Sequence, residues 1–89
     1  MNVETFIISY DLAGNGDYNA LIEEIKSYRT WAHLTESTWA IVTDKTSKEI
    51  RDQLKDYLSE GSRLIVIKSA HIAAWLNVIC SNEWIKNNL

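Results

Sequence analysis

From Thr5 to Leu12 apolar and aromatic residues run almost without a break, until Gly14-Asn15-Gly16 stops them. The β-branched and aromatic content reads as a strand ending in a turn. Side chains of a strand alternate, so Phe6, Ile8, Tyr10 and Leu12 share one side, and Ile7, Ser9 and Asp11 the other. Phe6, Ile8 and Tyr10 form the expected core face. Asp11 then stands at the end of the strand, on the opposite face. The period changes after the glycines. Asp17 is a good N-cap, and Tyr18, Leu21, Ile22, Ile25 and Tyr28 recur at helical spacing, which predicts a helix over about residues 18–28. Thr30 to Leu34 reads as a short strand, Thr35-Glu36-Ser37 as a turn, and Thr38 to Thr43 as a stronger strand, together a hairpin. In the second of these strands Trp39 and Ile41 share one face, Ala40 and Val42 the other.

Thr46 and Glu49 have the spacing of a capping box, and Ile50, Leu54, Tyr57 and Leu58 continue as an amphipathic stripe. Gly61 marks the end of this second helix. Arg63 to Lys68 is a short apolar run between two charges, the pattern of a central or two-sided buried strand. Ala70 to Ile79 again has helical spacing, with Ile72, Trp75, Leu76 and Ile79 on one side. Ser81 caps a further short helix through Ile85.

The order βαββαβ predicts an α+β fold of the split βαβ, or ferredoxin-like, kind: a four-stranded antiparallel sheet with two helices on one face. Residues 1–68 make the ferredoxin-like domain. Residues 69–89 make a C-terminal helical extension, part of the same domain or of a dimer interface. The second sheet face carries Ile7, Ser9 and Asp11, and the two helices leave it bare. An uncovered apolar face meets a partner. Either the tail folds over it or a second subunit does.

Composition narrows the function. At 89 residues the chain holds one core. No run of about 18 apolar residues exists to span a membrane. Met1-Asn2-Val3-Glu4 lacks the basic start of a signal peptide, and the lone Cys80 has no disulfide partner, so the expected location is cytoplasmic. A net charge of −3 argues against a protein that coats nucleic acid, although a local basic patch is compatible with it. Arg29, Arg63 and Lys68 would form such an edge if the strand ends converge.

Asp11 has two readings. It is a Mg²⁺ ligand, completed by a second copy across a two-fold, or it accepts backbone N–H bonds from the turn that follows. Gly14-Asn15-Gly16 ahead of a helix offers donors to a phosphate, but lacks the lysine of a P-loop. Four tryptophans, Trp31, Trp39, Trp75 and Trp84, are suited to stacking on bases, to core packing or to subunit contacts. Tyr18, Tyr28 and Tyr57 belong to core stripes. The candidate ligand-binding set is Tyr10, Gly14, Trp31, His33, Trp39 and Trp75. His33 and His71 show no metal-ligand spacing, and Cys80 reads as an apolar filler. The mixed charges of the second helix, with Lys48 and Asp52 at i,i+4, read as a solvated face.

Ser9-Tyr10-Asp11, Glu36-Ser37-Thr38-Trp39 and Thr43-Asp44, in this order of elements, resemble the Cas2-like proteins, including the small bacterial and viral proteins of the SinR family. The resemblance covers residues 4 to about 68, and the tail departs from it. It implies a ferredoxin-fold homodimer. It also implies that Asp11 of each subunit faces its copy and holds a divalent metal for phosphodiester hydrolysis. The expected function is a homo-oligomeric nucleic-acid-binding protein, with a Mg²⁺-dependent nuclease as its enzymatic version. The alternatives are a non-enzymatic binder that sequesters a small nucleotide, as viral anti-defence proteins do, and a pure protein-interaction module.

Overall fold

The computed structural model describes residues 2–14 and 18–89. The expected cap at Asp17 and most of the glycine turn lie outside the described residues. The elements are β1 (Glu4–Asp11), α1 (Tyr18–Lys26), β2 (Thr30–Thr35), β3 (Thr38–Thr43), α2 (Ser47–Lys55), β4 (Arg63–Lys68) and α3 (Asn82–Asn88). The fold is α+β, with one antiparallel sheet of four strands in the order β2-β3-β1-β4. This is compatible with the expected ferredoxin-like arrangement.

β1 is an inner strand, paired with β3 on one side and β4 on the other. Its alternation divides the protein into two cores. Phe6, Ile8 and Tyr10 pack with Trp39 and Ile41 of β3, with Leu21 and Ile25 of α1, and with Ile50 and Leu54 of α2. Ile7 faces the other way, toward a smaller cluster of Ala32, Leu34, Ala40 and Ile85. The face expected to be bare is therefore half closed by the chain itself. From β4 the tail crosses the sheet to β2, where the Ile79 N–H donates to the Leu34 carbonyl at 3.0 Å. α3 then returns. Trp84 Nε1 donates to Thr30 Oγ1, and Thr5 Oγ1 donates to the Asn88 carbonyl at 2.6 Å.

The capping box of α2 is present in both directions. Glu49 N–H donates to Thr46 Oγ1 at 3.1 Å, and Thr46 N–H donates to Glu49 Oε1 at 2.9 Å. These bonds hold the Glu49 carboxyl below its ordinary pKa.

Four expectations are corrected. β4 is an edge strand, neither central nor buried on both sides: among the described residues it pairs with β1 alone, and Ile65 and Ile67 are 55% and 50% exposed. Its continuous apolar run reflects a core on the helix side and an open, aliphatic outer side. Residues 70–79 are not helical. His71 and Asn77 take left-handed φ values of 63° and 54°, and Ile72 and Leu76 stand 91% and 84% exposed. A ten-residue amphipathic stripe with no surface to bury against does not pay for its own helix nucleation. α2 ends at Lys55, capped by Asp56, well before Gly61. Gly61 instead holds a φ of 87° in the turn into β4, a left-handed conformation suited to glycine. The basic edge is split as well. Arg63 and Lys68 occupy opposite ends of β4, and Arg29 precedes β2 on the far edge of the sheet.

Candidate functional site

The hairpin register sets His33 opposite Trp39 and Trp31 opposite Ile41, all on the helix-covered face. β2 is an edge strand, so Trp31 lies at the rim and stays 38% exposed, while Trp39 one strand further in is 2% exposed. The His33 imidazole stacks on the Trp39 indole, with centroids 4.1 Å apart and planes 10° from parallel. Trp31 tilts against the same indole at 5.6 Å. Lys26, in the last turn of α1, brings its ammonium to 5.2 Å from the Trp31 ring and 5.9 Å from the Trp39 ring. An ammonium at this distance from an indole is held by the ring quadrupole.

A chain of hydrogen bonds fixes the cluster from below. Trp39 Nε1 donates to the Tyr10 hydroxyl at 3.1 Å, Tyr10 donates to the Tyr18 hydroxyl at 3.2 Å, and Tyr18 donates to the Glu36 carbonyl at 3.3 Å. His33 Nε2 lies 3.1 Å from the same carbonyl. Burial and the Tyr18 hydroxyl push the Tyr10 phenol well above its ordinary pKa. Its proton is the one the relay requires, since a phenolate could not donate to Tyr18.

Four of the six candidate ligand-binding residues, Tyr10, Trp31, His33 and Trp39, thus come together. Two do not. Gly14 sits in the turn after β1 with a φ of 58°. Trp75 is on the tail, donating from Nε1 to Asn82 Oδ1 at 3.0 Å. Within the cluster the roles differ from one residue to the next. Trp39 is a buried support, and Trp31 is the exposed ring. Tyr18, expected on the core stripe, is 39% exposed and closes the relay instead. Lys26 was not among the candidates. Its signal lay five residues before Trp31, but only the α1–β2 packing reveals that the two meet.

Asp11 stands apart from this cluster. Its carboxylate lies 3.6 Å from Arg63, its cross-strand partner on β4, and the two side chains are 71% and 84% exposed. The turn that follows is tied by other groups: Ala13 N–H donates to Ser62 Oγ at 2.9 Å, and Ser59 Oγ donates to the Ala13 carbonyl. No group of three or more His, Cys, Asp or Glu placed to hold a metal occurs among the described residues. Asp11 of one chain offers a single carboxylate to Mg²⁺, which accepts one or two together with waters or phosphate oxygens. Cys80 packs half-buried against the second core, where burial pushes its thiol pKa up. No helix among the described residues is long and apolar enough to cross a membrane.

Compared with protein-family models, curated proteins and solved structures, the chain matches none.

Proposed function

We propose that this is a non-membrane, homo-oligomeric nucleic-acid-binding protein of ferredoxin-like, Cas2-like architecture, which engages unpaired bases at Trp31. The observation that carries the reading is the exposed Trp31 indole with the Lys26 ammonium beside it and a rigid aromatic layer behind it. A flat ring next to a cation is the unit from which single-strand sites are made: the ring stacks on a base and the cation meets the backbone. Support from Trp39, His33 and Tyr10 fixes the platform in advance, so little side-chain freedom is lost on binding.

A net charge of −3 and a single exposed indole in this cluster favour a short ligand over a long strand. A small nucleotide is therefore the second reading, and it uses the same residues. The aliphatic surface left by α3, with Ile65, Ile67, Ile72 and Leu76 all exposed, supports association of copies through the second sheet face. Hydrolysis would rest on Asp11 with Mg²⁺, each copy contributing one carboxylate.

Fluorescence anisotropy of a labelled oligothymidylate, with mononucleotides as competitors, tests the reading. Binding that Trp31→Ala and Lys26→Ala each weaken supports it. Wild-type protein that binds neither probe rejects it.

A further inference from the structure

The free edge of β4 and the N-terminal half of α2 form a second feature, unrelated to the aromatic cluster. Between them runs a groove of about 330 Å³ lined by Ser47, Lys48, Arg51, Leu64, Ile65 and Val66. One wall is basic and the other is strand backbone. The direction of the backbone groups follows from the ladder. Ser69 N–H donates to the Thr5 carbonyl at 2.8 Å, which makes Thr5 and Ser69 a hydrogen-bonded pair. Alternation along an antiparallel ladder then turns Arg63, Ile65 and Ile67 toward β1 and points the N–H and C=O of Leu64, Val66 and Lys68 outward. An edge with such a row of groups is a template for another strand.

The charge of α2 leans positive: it carries Lys48, Arg51 and Lys55 against Glu49 and Asp52, in a chain of net charge −3. The β4 cations are paired with β1 instead, Arg63 with Asp11 at 3.6 Å and Lys68 with Glu4 at 3.7 Å. Glu49 is committed to the capping box. Asp52 alone is shared by Lys48 at 3.0 Å, Arg51 at 2.9 Å and Lys55 at 3.9 Å. The groove wall therefore keeps unmatched positive charge, with the Lys48 and Arg51 side chains 74% and 55% exposed.

We propose that the β4 edge captures an extended peptide segment of a partner protein, with carboxylate and aliphatic side chains in alternation. A strand added to β4 places alternate side chains on opposite faces. On the helix side they meet Lys48 and Arg51, which select Glu or Asp. On the outer side they lie beside Ile65 and Ile67, which select aliphatic residues. A second copy of β4 suits the edge poorly. Two-fold pairing in the phase this ladder allows sets Val66 against the other copy's Val66 and brings the two Lys48–Arg51 walls together on one face.

The test uses the intact chain and a short peptide alternating Glu with Val. Two control peptides accompany it, one with Lys for Glu and one of the same composition without alternation. Binding is followed by amide hydrogen exchange and by NMR titration. The expected result is slowed exchange at Leu64 and Val66, binding of the alternating Glu peptide alone, and weakening by added salt. The double variant Lys48→Glu/Arg51→Glu should weaken binding by about tenfold or more, while Lys48→Arg/Arg51→Lys retains it. Circular dichroism establishes that both variants fold, and the peptide comparison stands on the wild-type chain alone. Equal binding of the control peptides, or unchanged exchange at Leu64 and Val66, overturns the proposal. Displacement of the peptide by an oligonucleotide of similar charge, with no change in exchange at the edge, assigns the wall to anions in general and overturns it too.

Discussion

His33 lies flat on Trp39, with ring centroids 4.1 Å apart and planes within 10° of parallel. The pair is cross-strand, set by the β2–β3 register, and offset stacking of this kind contributes about 0.5–1.5 kcal/mol beyond burial. It converts one edge of the sheet into a stiff aromatic layer, and Trp31 is the part of that layer that solvent reaches. Trp31→Ala is expected to weaken oligonucleotide or nucleotide binding by about 1–3 kcal/mol, the usual worth of one stacked base, with little change in melting temperature. Trp39→Ala should instead destabilise the fold by about 3–5 kcal/mol, because its indole is core. Binding isotherms and thermal melts of the two variants side by side separate platform from support.

The relay below the layer has its own signature. Tyr10→Phe removes the acceptor of the Trp39 indole N–H and leaves that buried donor unpaired, at a cost of about 1–3 kcal/mol. Tyr18→Phe removes both the acceptor of the Tyr10 hydroxyl and the donor to the Glu36 carbonyl, but at a part-exposed position where water replaces them. Urea denaturation of both variants is expected to show a clear loss for Tyr10→Phe and a marginal one for Tyr18→Phe.

Alkaline pH should unfold the protein. Burial and the nearby Glu24 push the Tyr28 phenol up to about 12, from an ordinary value of 10.0, and Tyr10 is raised as well. A raised folded-state pKa means that the folded chain holds these protons more tightly than the unfolded chain. The associated stability is whole below about pH 10 and is lost as pH rises from there toward about 12. Denaturant midpoints measured from pH 8 upward should stay level and then fall. In Tyr28→Phe the fall should be shallower.

The sheet, the hairpin and the α2 start were legible in the sequence because each depends on local spacing. The Thr46–Glu49 box is an example, and Thr46→Ala is expected to cost about 1 kcal/mol in a thermal melt. The alternation of Phe6, Ile8 and Tyr10 likewise gave the first core directly. The edge position of β4 was not legible, because a run such as Leu64–Ile67 is equally apolar at the centre of a sheet and at an edge facing a partner. Nor was the irregular path of residues 70–79, whose helical stripe has no surface to pack against. Of the candidate site, the tryptophan types were visible, but which of them is a platform depended on sheet order. The meeting of Lys26 with Trp31 and of Arg63 with Asp11 depended on tertiary packing and register.

The tail contributes to stability through one residue above all. Ile85 is 1% exposed and closes the second core over Ala32, Leu34 and Ala40. Ile85→Ala should cost about 2–5 kcal/mol and, by loosening α3, expose more of the second face. Analytical ultracentrifugation of this variant is expected to show increased self-association relative to the wild type.

Asp11→Asn should leave stability within about 1 kcal/mol, because the pair with Arg63 is open to water at both ends. Any Mg²⁺-dependent cleavage of a labelled oligonucleotide should disappear with it. Cleavage that survives the substitution removes Asp11 from the hydrolytic reading.

The most direct test of the aromatic platform is the NMR spectrum of the four tryptophan indole N–H groups during titration with a short oligothymidylate or a mononucleotide. The expected result is a large shift of the Trp31 resonance and a smaller one of its neighbour Trp39, while Trp75 and Trp84, on the tail side of the sheet, stay in place. A spectrum in which Trp31 does not move, or in which only Trp75 and Trp84 respond, contradicts it.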